Sequence, residues 1–210
     1  MNEKKIECPS CHVAGVHSMP PMVDITADPS MKERLLNGSF FKWICPNCSR
    51  HFFVDDVLLC VNLERKYCVY LVPSYKDEAL PIPTIYRSRC AGTLRVAASF
   101  VDFAEKLRIL EAGLDDRVIE AMKSIFATVS SQSGQGTVYH MFFEEVQPDG
   151  SLGFIVLRQN DEASINIPRE AYDRAAEDFG PLFPKDDGSA FLKVDQKWFE
   201  TSLRAAPADE

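Results

Sequence analysis

The sequence predicts an α+β protein. It has an N-terminal cysteine ribbon with a helical insertion, a β-hairpin and helix pair, and then a small α+β C-terminal unit. Three observations predict this. The motif Cys-Pro-x-Cys occurs twice, as CPSC at Cys8–Cys11 and CPNC at Cys45–Cys48. Strand-like runs alternate with runs whose apolar residues repeat at helical spacing. A small, polar, Gly-rich stretch, SSQSGQG at 130–136, then separates two regions of different charge. The expected boundaries are residues 1–129 (ribbon 1–55, hairpin and two-helix part 56–129), a linker at 130–136, and an acidic α+β unit at 137–210.

Residues 1–136 carry 16 Lys+Arg against 16 Asp+Glu; residues 137–210 carry 7 against 15, which accounts for the whole net charge of −8. No part is strongly basic, so avid phosphate binding is disfavoured. The acidic surface suits solubility or a basic partner protein. No apolar run reaches the ~18 residues of a membrane span. The start, MNEKKIECPSC, lacks the apolar stretch of a secretion signal, so a cytoplasmic location is expected. Spaced cysteines in a reducing compartment read as metal ligands before disulfides.

In the ribbon, two residues between cysteines let both sulfurs turn toward one cation, and Pro9 and Pro46 fix φ in those turns. Four thiolates, from Cys8, Cys11, Cys45 and Cys48, make the closed tetrahedral shell typical of structural Zn2+. Iron in the same shell, or two unrelated pairs with one redox-active, are the alternatives. Residues 12–44 separate the pairs, more than the usual gap of about 15–20. ADPSMKERLLNG fills that gap: Asp28 as helix cap, Pro29 at the first helical position and Gly38 past the end predict a helix over about 29–37. FFKWI and HFFV flank the second motif as strands. His12, His17 and His51 lie close in sequence; any one could replace a thiolate, but with four cysteines present none is expected to, and His12 and His51 read as shielding or hydrogen-bonding the centre.

These paired motifs, the inserted helix and the later run LRVAASFVDFAEKLRILEAGLDDRVIEAMKSIF resemble the bacterial CpXC domain family, over roughly residues 6–128. The resemblance implies a CpXC-like domain with a zinc-ribbon-like N-terminal part and leaves the molecular role open. It supplies no catalytic residues; only Cys8, Cys11, Cys45 and Cys48 carry over.

VLLCVNLERKYCVYLVP predicts a hairpin turning near Asn62–Lys66; a turn centred on Glu64 sets Cys60 opposite Cys68, as packed thiols or, disfavoured in a reducing compartment, a disulfide. Cys90 reads as a buried thiol. Residues 73–92 read as an irregular connection in which Arg87 and Arg89, beside Tyr86, are expected to be solvated, with an anion site as the alternative. TLRVAA is a short strand. Ser99 caps a helix bearing Phe100, Phe103, Ala104, Leu107 and Leu110, and Gly113 ends it. A second helix starts near Asp115, with Val118, Ile119, Met122, Ile125, Phe126 and Val129 on one face. Asp115 and Asp116 read as helix-terminal anions, and Glu120 as an exposed partner of Arg117 or Lys123. TVYHMFFEEV and LGFIVLR flank a Pro-Asp-Gly turn, ASINIP follows as a third strand, and His140 reads as a core or edge histidine. A helix near Pro168 groups Tyr172, Ala175, Ala176 and Phe179. AFLKV is a last strand, and Asp195 caps a helix with Trp198, Phe199 and Leu203.

The expected function is a non-enzymatic protein-interaction or regulatory module with a structural zinc site. Phe40, Trp43 and Phe53 are candidate contact residues. The alternatives are a nucleic-acid-binding ribbon and an enzyme with a pocket between the ribbon and the C-terminal unit. The partner's identity and the oligomeric state are open.

Overall fold

A computed structural model describes residues 2–73, 75–76, 80–81, 92–134, 136–159 and 161–205. Tyr86, Arg87, Arg89 and Cys90, and the expectations attached to them, lie outside the described residues. The protein is α+β. It divides into two compact units, Met1–Ala104 with Gly188–Leu192, and Glu105–Asp187 with Lys193–Glu210. Among the described residues, no helix is long and apolar enough to cross a membrane.

Unit 1 begins with two hairpins. β1 (Asn2–Glu7) pairs antiparallel with β2 (Ala14–Met19). β3 (Met22–Asp24) leads into α1 (Ser30–Leu36), which a left-handed Gly38 (φ 74°) stops. The Asp28 carboxylate accepts the Ser30 N–H at 3.1 Å, satisfying a donor at the helix start. A short 3₁₀ turn, Ser39–Phe41, runs into the second hairpin, β4 (Lys42–Ile44) with β5 (His51–Phe53). β6 (Leu58–Asn62) and β7 (Tyr67–Leu71) form the next hairpin. After β8 (Leu80–Pro81), β9 (Thr93–Ala97) pairs parallel with β7. The main sheet has the order β3-β6-β7-β9, with β3 parallel to β6. Parallel neighbours need a long crossover. α1 and the β4–β5 hairpin supply it, so the second cysteine motif sits inside that crossover. β6 is buried along its whole length, and Leu59, Val61, Cys68, Leu94, Val96 and Phe191 pack as one cluster.

The β6–β7 register differs from the sequence expectation. Cys60 pairs with Val69 and Cys68 with Val61, so the hairpin is centred half a residue beyond Glu64. Asn62 pairs with Tyr67 and accepts the Arg65 N–H at 2.9 Å, while Lys66 takes a left-handed φ of 55°. The four-residue loop moves the register by one, and a one-residue shift puts Cys60 and Cys68 on opposite faces. Both are buried, but they do not face each other.

Helix α2 (Phe100–Glu111) crosses the boundary between the units, and its Ser99 cap accepts the Asp102 N–H at 3.1 Å. Unit 2 continues with α3 (Asp116–Gln132), capped by Asp115, whose carboxylate accepts the Arg117 N–H at 2.9 Å. β10 (Val138–Val146), β11 (Leu152–Arg158) and β12 (Asp161–Ile167) form an antiparallel meander in that order. α4 (Arg169–Phe179) follows, and α5 (Gln196–Ala205) closes the unit, its first turn capped by Asp195, which accepts the Trp198 N–H at 2.8 Å. His140 lies exposed on β10, stacked on Phe142.

Two sequence expectations change here. Residues 130–132 are the last turn of α3 rather than a linker, and the units divide after Ala104. The reason is packing: Val118, Ile119, Ala121 and Met122 share one core with Phe143, Phe154, Val156 and Phe199. The strand expected over AFLKV shortens to β13 (Ala190–Phe191). It pairs with β8, continues as a parallel bridge from Leu192 to Arg95, and belongs to unit 1.

Candidate metal centre

Each Cys-Pro-x-Cys motif occupies the turn of one ribbon hairpin, and the two turns are built alike. The Cys8 N–H donates to the Val13 carbonyl at 3.0 Å, and the Cys45 N–H to the Arg50 carbonyl at 2.8 Å. His12 and Ser49 donate back to the Cys8 and Cys45 carbonyls, at 2.8 and 3.0 Å. Both sit at left-handed φ, 59° and 57°. The second cysteine of each motif accepts the N–H two residues on, from Val13 to Cys11 and from Arg50 to Cys48. Backbone donors aimed at sulfur favour the thiolate.

The two turns bring all four sulfurs within 4.8 Å of one another. Cys8 Sγ lies 3.6 Å from Cys48 Sγ, and Cys11 Sγ lies 3.6 Å from Cys45 Sγ. A tetrahedron with metal–sulfur bonds of about 2.3 Å has sulfur edges of about 3.8 Å, so the donors fit a single ion. Cys8 and Cys45 are fully buried; Cys11 and Cys48 are partly exposed. Trp43 and Val54 pack against this centre, with Ile6 and Phe52 at its edge. The Trp43 indole N–H donates to the Val16 carbonyl at 3.2 Å. A β-carbon on Gly15 would run into the Trp43 ring, so only glycine lets the two hairpins close this tightly. Arg50 ties the second turn to the first through Ser10 Oγ at 3.0 Å.

The CpXC protein family model matches residues 6–123, more than half of the chain, and spans both motifs. The chain belongs to the CpXC family. No curated protein and no solved structure matches it.

Among the described residues of this CpXC protein, the four cysteines are the one group of three or more His, Cys, Asp or Glu side chains arranged to hold a metal ion. None of the three histidines joins them. His12 is exposed and pairs with Glu7 at 2.8 Å, His51 is exposed on β5, and His17 is buried on β2. Asn47, which sequence reading passed over, matters more: its side chain hydrogen-bonds Cys11. Its signal was an amide donor beside the second motif's last cysteine. Of the aromatic contact candidates, Phe40 and Trp43 are buried and Phe53 is 57% exposed.

The thiols do not titrate alike. The Asn47 bond and then the Val13 N–H lower Cys11 to about 6. The Arg50 N–H pulls Cys48 down, but burial and the three neighbouring sulfurs outweigh it and push Cys48 up to about 11. Four negative charges this close need a cation, and without one Cys48 keeps its proton. A metal ion must displace that proton, so its apparent affinity is expected to weaken as pH falls below about 11, and more steeply below about 6, where Cys11 takes up a proton as well. Titration calorimetry in buffers of different ionisation heat counts the protons released; a count of zero at neutral pH contradicts this reading.

Proposed function

We propose that this CpXC protein binds one structural Zn2+ through Cys8, Cys11, Cys45 and Cys48, and that the resulting rigid ribbon is a non-enzymatic docking module for a protein partner. The convergence of four sulfurs within 4.8 Å carries the reading. Soft thiolates in a tetrahedron favour zinc. Four protein ligands complete its shell and leave no coordination position for substrate, so the ion's work is structural. Ile44 and Phe53, 62% and 57% exposed on the outer face of the second hairpin, are the contact residues, with the Lys42 ammonium 5.9 Å from the Phe53 ring centre. Paired exposed apolar groups on a metal-braced hairpin are suited to anchoring a partner.

Elemental analysis of the purified chain is expected to find one zinc per protein. Each single cysteine-to-serine change at the four positions should lower that content sharply, whereas Cys60→Ser should not. Affinity capture from the native cell, repeated with Ile44→Asp and Phe53→Asp, then tests the docking role. A partner retained equally by both variants removes that face from the reading; substoichiometric metal in the unaltered protein removes the centre.

A further inference from the structure

The four sulfurs of the candidate centre differ in what can reach them. Cys8 and Cys45 are 0% and 1% exposed, while Cys11 and Cys48 are open to solvent in part. The two contacts at 3.6 Å each join an accessible sulfur to a buried one, Cys48 to Cys8 and Cys11 to Cys45. Both also run from one hairpin to the other. Cys8 and Cys11 belong to the β1–β2 turn, and Cys45 and Cys48 to the β4–β5 turn.

An accessible thiolate beside a buried one is the arrangement that peroxide chemistry uses. Metal-bound cysteines are already deprotonated. The accessible sulfur attacks the O–O bond of a hydroperoxide, breaks it, and becomes a sulfenic acid. Its buried neighbour then attacks that sulfur, expels hydroxide and closes a disulfide. Each pair gives two electrons to one peroxide. With hydrogen peroxide, four thiolates, two peroxides and four protons become two disulfides and four waters. The ion is left without thiolate ligands and departs.

We propose, on the zinc reading above, that Cys11 and Cys48 are modification sites for a small hydroperoxide, with Cys45 and Cys8 as their resolving partners, so that oxidation exchanges the ion for two disulfides tying the hairpins crosswise. Closure within each Cys-Pro-x-Cys motif would instead leave the hairpins unlinked. Crosswise closure gives the ribbon a covalent brace in place of the metal.

Hydrogen peroxide added to the full, zinc-loaded chain tests this. A chromophoric chelator reads the released zinc, and mass spectrometry of unreduced peptides reads the linkages. One zinc is expected to leave for every two peroxides consumed. The linked pairs should be Cys8–Cys48 and Cys11–Cys45, while the buried Cys60 and Cys68 stay thiols. With dimedone present from the start, the sulfenic-acid adduct should form on Cys11 and Cys48 about tenfold more than on Cys8 and Cys45. Amides of residues 2–19 and 42–54 should keep their exchange protection in the oxidised chain, which simple loss of the ion would not produce. Linkages within the motifs, adducts chiefly on the buried sulfurs, or zinc retained against excess peroxide each overturn the proposal and leave the zinc reading standing. A chain purified without zinc overturns that reading and the proposal with it.

Discussion

Stripping the proposed zinc from the four-cysteine centre is expected to melt the ribbon while unit 2 keeps its protection. The ribbon's buried cluster is Cys8, Trp43, Cys45 and Val54, so two of its four members are themselves proposed ligands. Without an ion, four sulfurs within 4.8 Å repel if ionised and contribute little if protonated. Structural zinc supplies about 10–16 kcal/mol of folding free energy in small peptides, far more than two apolar side chains can. Unit 2 has its own cluster of fifteen buried residues, from Ile109 to Phe199, and does not draw on the metal. Hydrogen exchange after chelation should show amides of residues 2–19 and 42–54 losing protection, with those of β10–β12 unchanged. Trp43 gives a second readout once Trp198 is replaced by Phe, through red-shifted emission as the indole meets water. Retained ribbon protection in fully chelated protein would mean that packing alone holds the hairpins together.

The clustering of the four cysteines was legible in sequence because its information is local. Each knuckle needs only two cysteines, a proline and a tight turn, and the doubled spacing announced both. Caps were legible for the same reason: Asp115, Ser99 and Asp195 each bond an N–H two or three residues on. What stayed hidden depends on who packs against whom. The Cys60–Cys68 register turned on whether the loop holds an odd or even number of residues, and Asn62 with the left-handed Lys66 decided it. Phe40 and Trp43 carry no local sign of burial; the closing of two hairpins and a helix buries them. The charges of α2 and α3 concealed most. Glu120 read as an exposed helix residue and Glu105 and Lys106 carried no signal at all, yet all three are at most 5% exposed.

Those charges form a buried network in unit 2. Lys106 lies 3.2 Å from Asp116 and 3.2 Å from Glu120. Lys123 lies 3.0 Å from Glu120 and 2.7 Å from Glu105. Glu105 also accepts the Phe143 N–H at 2.6 Å, which satisfies a donor of β10 and joins α2 to the meander. Three carboxylates thus share two ammoniums, and Glu120 faces inward rather than toward solvent as the sequence suggested. Lys106→Met is expected to cost about 3–5 kcal/mol of unfolding free energy, because Asp116 and Glu120 would remain buried with a counter-charge removed. Urea denaturation of unit 2's transition measures it. The double variant Lys106→Met/Asp116→Asn should recover part of the loss, since removing the stranded carboxylate with its partner relieves the uncompensated charge. A single-variant cost below about 1 kcal/mol, the scale of an exposed pair, would show that water reaches the network and that α2, α3 and β10 are held by apolar packing alone.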